Sequence, residues 1–134
     1  IKNRLYRNGT AEQRKRMLDR EIVAASEAFN FGMYDLSERL FGEILNRYND
    51  FGLLDDCLYY KGEANYALGR YNQSEQDLKL LIQNYPSSEF ITSAYKKIMY
   101  IRKPSVPIKM VKKIYDTTGC TNIQTIIRKY VVYH

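Results

Sequence analysis

Histidine and cysteine, the side chains behind most nucleophilic, acid–base and metal chemistry near neutral pH, are scarce here: one His, at 134, and two Cys, at 57 and 120. A single histidine supplies neither a His-based acid–base pair nor a zinc cluster. Cys57 and Cys120 lack the spacing of a metal or redox motif. Cys57 falls on the inner stripe of a helix, the place of a small buried hydrophobe. Cys120 lies near a helix start, where a thiol ionises more readily, but it has no histidine to work with; spacing leaves a disulfide between the two open. Asp55-Asp56 lacks the glycine and terminal Glu of a calcium loop and reads as negative charge at a helix N-terminus. Asn8-Gly9-Thr10 and Asn72-Gln73-Ser74 match the glycosylation sequon, a short pattern, and Asn72 is expected to serve as a helix cap. Gly-rich phosphate loops are absent. The expectation is a protein that is not an enzyme and uses neither cofactor nor metal.

The elements that position these side chains follow from composition and spacing. The chain has 134 residues, enough for one domain, with 45% hydrophobic residues, three Pro, no Trp and 13 Tyr. Its apolar runs are a few residues long, too short to span a membrane. It opens with Ile1-Lys2-Asn3, without an initiator Met or signal-peptide pattern, so a piece of a longer or processed protein is expected. The net charge of +6 is uneven: residues 1–20 carry seven basic and two acidic side chains, 21–90 five and twelve, 91–134 nine and one. Arg14-Lys15-Arg16 is the densest basic cluster, too sparse for a nucleic-acid surface, so contacts of basic ends with other protein or with solvent are expected instead.

Seven helices are expected, over about 10–30, 35–48, 52–68, 72–85, 88–102, 107–117 and 121–133. Capping-box spacing marks four starts: Thr10 with Gln13, Asp35 with Glu38, Asn72 with Glu75 and Thr121 with Gln124. Leu53, Leu54, Cys57, Leu58, Ala64 and Leu68 recur at helical spacing, as do Phe90, Ile91, Ala94, Ile98 and Ile101. Pro86 and Lys103-Pro104 end helices, Pro107 suits a first turn, and Thr118-Gly119 closes a segment. Tyr130-Val131-Val132-Tyr133 is β-prone.

Two of these helix pairs repeat each other. Phe31-Gly32-Met33-Tyr34-Asp35-Leu36-Ser37-Glu38 is echoed 37 residues later by Leu68-Gly69-Arg70-Tyr71-Asn72-Gln73-Ser74-Glu75, and the register persists from Leu45 and Tyr48 to Ile82 and Tyr85. A two-helix unit repeated at such a period builds a solenoid, whose units bury their apolar faces by stacking. Binding is the expected task.

From Tyr59 to Pro86 the chain resembles the tetratricopeptide repeat. With Gly69 at the turn, Gly62 and Ala64 take the small positions of the first helix, Tyr71 the turn aromatic and Ser74 the small position of the second helix. Leu78, Leu81 and Pro86 take its last landmarks. Residues 19–49 match through Ala25, Gly32, Tyr34, Ser37, Phe41 and Ile44, with Asn49 in place of the proline; a third copy keeps Val111 and Tyr115. The phrase Leu81 to Phe90 resembles repeats of bacterial cell-envelope scaffolds of the outer-membrane-assembly lipoprotein and Tol-Pal coordinator type. The resemblance implies an all-α, right-handed superhelix of stacked antiparallel hairpins, a TPR-like solenoid. Its parts would be repeats at 10–49 and 50–86, a degenerate repeat at 87–119 and a capping helix at 120–134, all within one domain.

It also implies a role: a non-catalytic scaffold that holds a peptide or protein segment on its concave face, in a periplasm or cell envelope. First helices line that face. The groove positions are then Asp19, Ile22, Ser26, Phe29 and Asn30 in the first copy, Asp56, Tyr59, Glu63 and Tyr66 in the second, and Lys96 and Tyr100 in the third. Tyrosine suits such a surface because it offers a large ring with a polar tip at little entropic cost, although each ring could instead fill the core between hairpins. An alternative of another class is a regulatory or substrate-recruiting module of a larger enzyme. Nucleic-acid binding through the basic ends is a weaker third.

Overall fold

The computed structural model describes residues 9–102, and among them are five helices and no strand: α1 (Ala11–Asn30), α2 (Tyr34–Arg47), α3 (Asp55–Ala67), α4 (Tyr71–Asn84) and α5 (Ile91–Arg102). The helices expected at 107–117 and 121–133, and with them Cys120 and the cap, lie outside the described residues. The described residues divide into two compact units, with the boundary between Asp77 and Leu78.

In the first unit, α1 starts with the expected capping box. The Gln13 N–H donates to Thr10 Oγ1 at 3.1 Å and the Thr10 N–H donates to Gln13 Oε1 at 2.9 Å, so two otherwise unpaired donors are satisfied. The helix ends in a Schellman turn: the Met33 N–H donates to Ala28 O and the Gly32 N–H to Phe29 O, with Gly32 at φ 78°. The end of α3 repeats this. There the Arg70 N–H donates to Asn65 O and the Gly69 N–H to Tyr66 O, with Gly69 at φ 77°. A left-handed φ strains any residue with a Cβ, which is why a glycine stands at both places.

Inside each pair the helices touch where the small residues are. Ser37 Oγ donates to Ala25 O at 3.0 Å, and 37 residues on Ser74 Oγ donates to Gly62 O at 2.7 Å; all four residues are buried. The ring pairs recur too, with Phe29 to Tyr34 and Tyr66 to Tyr71 both at 5.3 Å between centroids. Against α1 and α2, the start of α3 closes a core of Leu18, Ala25, Phe41, Ile44, Tyr48, Leu54 and Cys57.

Several expectations need correction. Asp35 and Asn72 are not caps: α2 starts from Met33, whose side chain makes no capping bond, and the Ser74 N–H donates to Arg70 O, so α4 starts from Arg70. The tight Schellman turn sends the chain straight into the next helix, leaving no room for two further residues. Asp35 and Asn72 thus fall on the first turn itself. Residues 52–54 are loop, and Leu53 is 82% exposed rather than inward. Tyr71 fills the turn only partly, being half exposed against Tyr66.

In the second unit, Leu78 and Leu81 of α4 and Ile91, Ala94, Tyr95 and Ile98 of α5 are buried, whereas Phe90 and Ile101 are half-buried. Pro86 has no N–H to continue α4. Ser88 shapes the entry to α5, its Oγ accepting from the Phe90 N–H at 3.1 Å, and α5 begins at Ile91 rather than at 88.

Candidate functional site

In the first unit, α1, the start of α3 and the loop before α3 enclose a concavity of about 550 Å³. One wall is α1, contributing Lys15, Leu18, Asp19, Ile22 and Val23. These residues lie three or four apart, or adjacent, and so share one helix face. The other wall is Phe51, Gly52 and Leu53, with Asp56 from the first turn of α3.

An ionic clamp holds the loop wall. Arg14 Nη1 donates to Asp50 Oδ2 at 2.6 Å and Nη2 to Oδ1 at 2.8 Å, a fork-to-fork pair. The guanidinium also lies 5.1 Å from the centroid of the Phe51 ring and 6.0 Å from that of Tyr48. Hydrogen bonding to Arg14 holds the Asp50 carboxyl below the ordinary carboxylate range, and the same bond raises Arg14. Lys15 pairs with Asp19 at 2.6 Å, both side chains exposed. Asp56 Oδ1 accepts from the Cys57 N–H at 2.8 Å. Beneath it Cys57 is fully buried. Burial, reinforced by the neighbouring Asp56 charge, pushes its thiol far above the ordinary value, so it is an inert core side chain.

Of the groove residues expected from sequence, Asp19, Ile22 and Asp56 come together in this concavity. Phe29 and Tyr59 belong to a neighbouring aromatic chain. Tyr60 meets Phe29 at 5.4 Å, Tyr59 at 5.3 Å and the buried Phe41 at 6.1 Å. Phe29, Tyr59 and Tyr66 are each half-buried, and so share in packing while keeping a solvent-facing part. Ser26 and Glu63 are half-buried and Asn30 is exposed at the end of α1; neither Ser26, Asn30 nor Glu63 lines the concavity. Lys96 and Tyr100 are exposed on α5, in the second unit.

Sequence reasoning missed Lys15, Leu18 and Val23, which share the α1 face of Asp19 and Ile22, and it missed the whole loop wall because the repeat register covers helices and turns but not the linker after α2. It also missed a polar cluster on α3. Lys61 Nζ donates to Asp77 Oδ1 at 2.9 Å and lies 3.7 Å from Glu38, Asn65 Nδ2 donates to Asp77 Oδ2 at 2.8 Å, and Arg70 pairs with Asp35 at 3.2 Å. Among the described residues no group of three or more His, Cys, Asp or Glu could hold a metal ion, and no helix is long and apolar enough to cross a membrane.

Comparison of the chain with protein-family models, with curated proteins and with solved structures gives no match.

Proposed function

We propose that the chain is a non-catalytic scaffold built of tetratricopeptide-like hairpins, which stack into a right-handed superhelix and hold a peptide or protein segment on the face lined by α1 and α3. One observation carries this reading. The turn glycine, the Schellman bonds, the serine-to-carbonyl contact and the ring pair all recur at a spacing of 37 residues. Helix pairs that reproduce one another at this level suit stacking, and stacked pairs present their first helices as a continuous binding surface. The concavity beside α1 and α3, apolar with charged edges, supplies the kind of surface such a segment needs. Placement in a bacterial envelope rests on the resemblance of the Leu81 to Phe90 phrase.

The test is to select ligands for the full chain from an unbiased peptide display library and to titrate them against a variant carrying both Tyr59→Ala and Tyr66→Ala. Binding should weaken by roughly 2–4 kcal/mol if both rings act as anchors, with the helical circular dichroism retained. Selection of no peptide, or unchanged affinity in the double variant, would count against the α1–α3 face.

A further inference from the structure

Two features of the concavity define what it would take, on the reading that this face binds a protein segment. The first is apolar surface kept in water by a fixed frame. Leu53 is 82% exposed and Val23 55%, beside the half-buried Ile22 and Phe51. The loop carrying Phe51 and Leu53 is tethered by the Arg14–Asp50 fork and by the guanidinium over the Phe51 ring, so the wall is formed before anything binds. Exposed aliphatic groups grouped around one concavity, on a wall fixed in advance, mark a binding surface more than scattered surface leucines do.

The second is the sign of the edge. Asp19 and Asp56 stand against one cation, Lys15, which is already paired with Asp19 at 2.6 Å. Asp56 stands in the first turn of α3. With Lys15 balancing Asp19, the partial positive charge of the α3 N-terminus, about half an elementary charge, offsets only part of the Asp56 carboxylate. An incoming cation is therefore favoured and an incoming carboxylate is opposed.

We propose that the concavity is a subsite for an aliphatic side chain with a lysine or arginine beside it in the bound segment. The aliphatic group enters the space lined by Ile22, Phe51 and Leu53, and the cation meets the carboxylates at the edge.

Gly52 gives a variant that blocks the subsite without disturbing the fold. Its φ lies outside the left-handed region and a Cβ added there meets nothing within 4 Å, so Gly52→Leu places bulk at the concavity rather than in the core. Peptides selected on the full chain from the unbiased library should be enriched in an aliphatic residue adjacent to Lys or Arg. They should bind Gly52→Leu at least about tenfold more weakly, a loss of about 1.4 kcal/mol. Asp56→Asn, which keeps an acceptor for the Cys57 N–H, should flatten the salt dependence of their affinity. Thermal melts of both variants should match the parent.

Enrichment of acidic or purely polar sequences would overturn the proposal, as would selected peptides whose affinity ignores Gly52→Leu. If those same peptides lose affinity in the Tyr59 and Tyr66 double variant, the scaffold reading stands while this subsite falls. If the library yields no ligand, both fall.

Discussion

Around Gly32 the chain leaves Phe31 and Met33 bare, at 82% and 53% exposure, whereas around Gly69 the same places hold Leu68, half-buried, and Arg70, paired with Asp35 and lying 3.9 Å from Glu38. The backbone hydrogen bonds of the two turns are the same. What differs is the setting: the second turn has the start of α2 beside it, and its side chain at the exit of the glycine has become a cation that reaches back. The same exchange runs down the helices. Ala24, Ala28 and Leu40 in the first pair correspond to Lys61, Asn65 and Asp77 in the second, where they form one hydrogen-bonded cluster that also approaches Glu38. Backbone geometry is therefore carried by a few invariant places, the glycine and the small residues. The polarity of the remaining places is free to follow the neighbouring helix.

Breaking the cluster in part should have the largest effect. Asp77 is 6% exposed, and Lys61→Ala would leave its carboxylate with Asn65 as its remaining partner in the cluster. Because Lys61 keeps some solvent contact, the cost should be about 2–3 kcal/mol, below that of a fully buried pair. Replacing the set with the residues of the first pair, Lys61→Ala with Asn65→Ala and Asp77→Leu, removes the orphaned charge and should recover most of that loss. Urea unfolding of the single and triple variants decides it. A triple variant no more stable than the single one would mean that the two pairs are not interchangeable at these places.

The small residues are the shared part, and overfilling them tests it. Gly62 and Ala25 are buried and accept from Ser74 and Ser37. Gly62→Leu and Ala25→Leu should each cost roughly 1–3 kcal/mol by forcing the paired helices apart. Equal melting temperatures for parent and either variant would contradict close packing at that contact.

This division explains what could be read in advance. The five helices, the 37-residue register and the burial of Cys57 were legible because each rests on local spacing or on a residue with one physical use, while the small positions of Gly62 and Ser74 came from the repeat resemblance. Asp35 and Asn72 were misjudged as caps because capping-box spacing also arises inside a first turn, and only the tightness of the glycine turn decides between the two. Leu53 was misplaced because helical periodicity runs on through the linker that Asp50 anchors. Of the expected groove, Asp19, Ile22 and Asp56 meet, being on α1 and the start of α3 where the register holds. The opposite wall was invisible, since it depends on Arg14 finding Asp50 across 36 positions with no local pattern to announce it.

The two linkers sharpen the comparison further, with the smallest expected effect. The linker after α2 is fixed by a carboxylate, Asp50, while the one after α4 uses Pro86 and the Ser88 hydroxyl, which do not titrate. Asp50 is held below the ordinary carboxylate range by its hydrogen bonds to Arg14, so over the pH window beneath that range the unfolded chain binds the proton and the folded chain does not. Stability from this group is then complete above the ordinary carboxylate range and is lost as pH falls through the depressed value. Because Asp50 lies at the surface, with its side chain 54% exposed, salt should weaken the effect. In Asp50→Asn the titrating proton is gone while one acceptor for Arg14 remains. The stability difference between parent and variant, measured by urea unfolding across the acid range, should therefore shrink as pH falls and shrink again in high salt. A difference that stays constant with pH would show that the fork holds the loop through geometry alone.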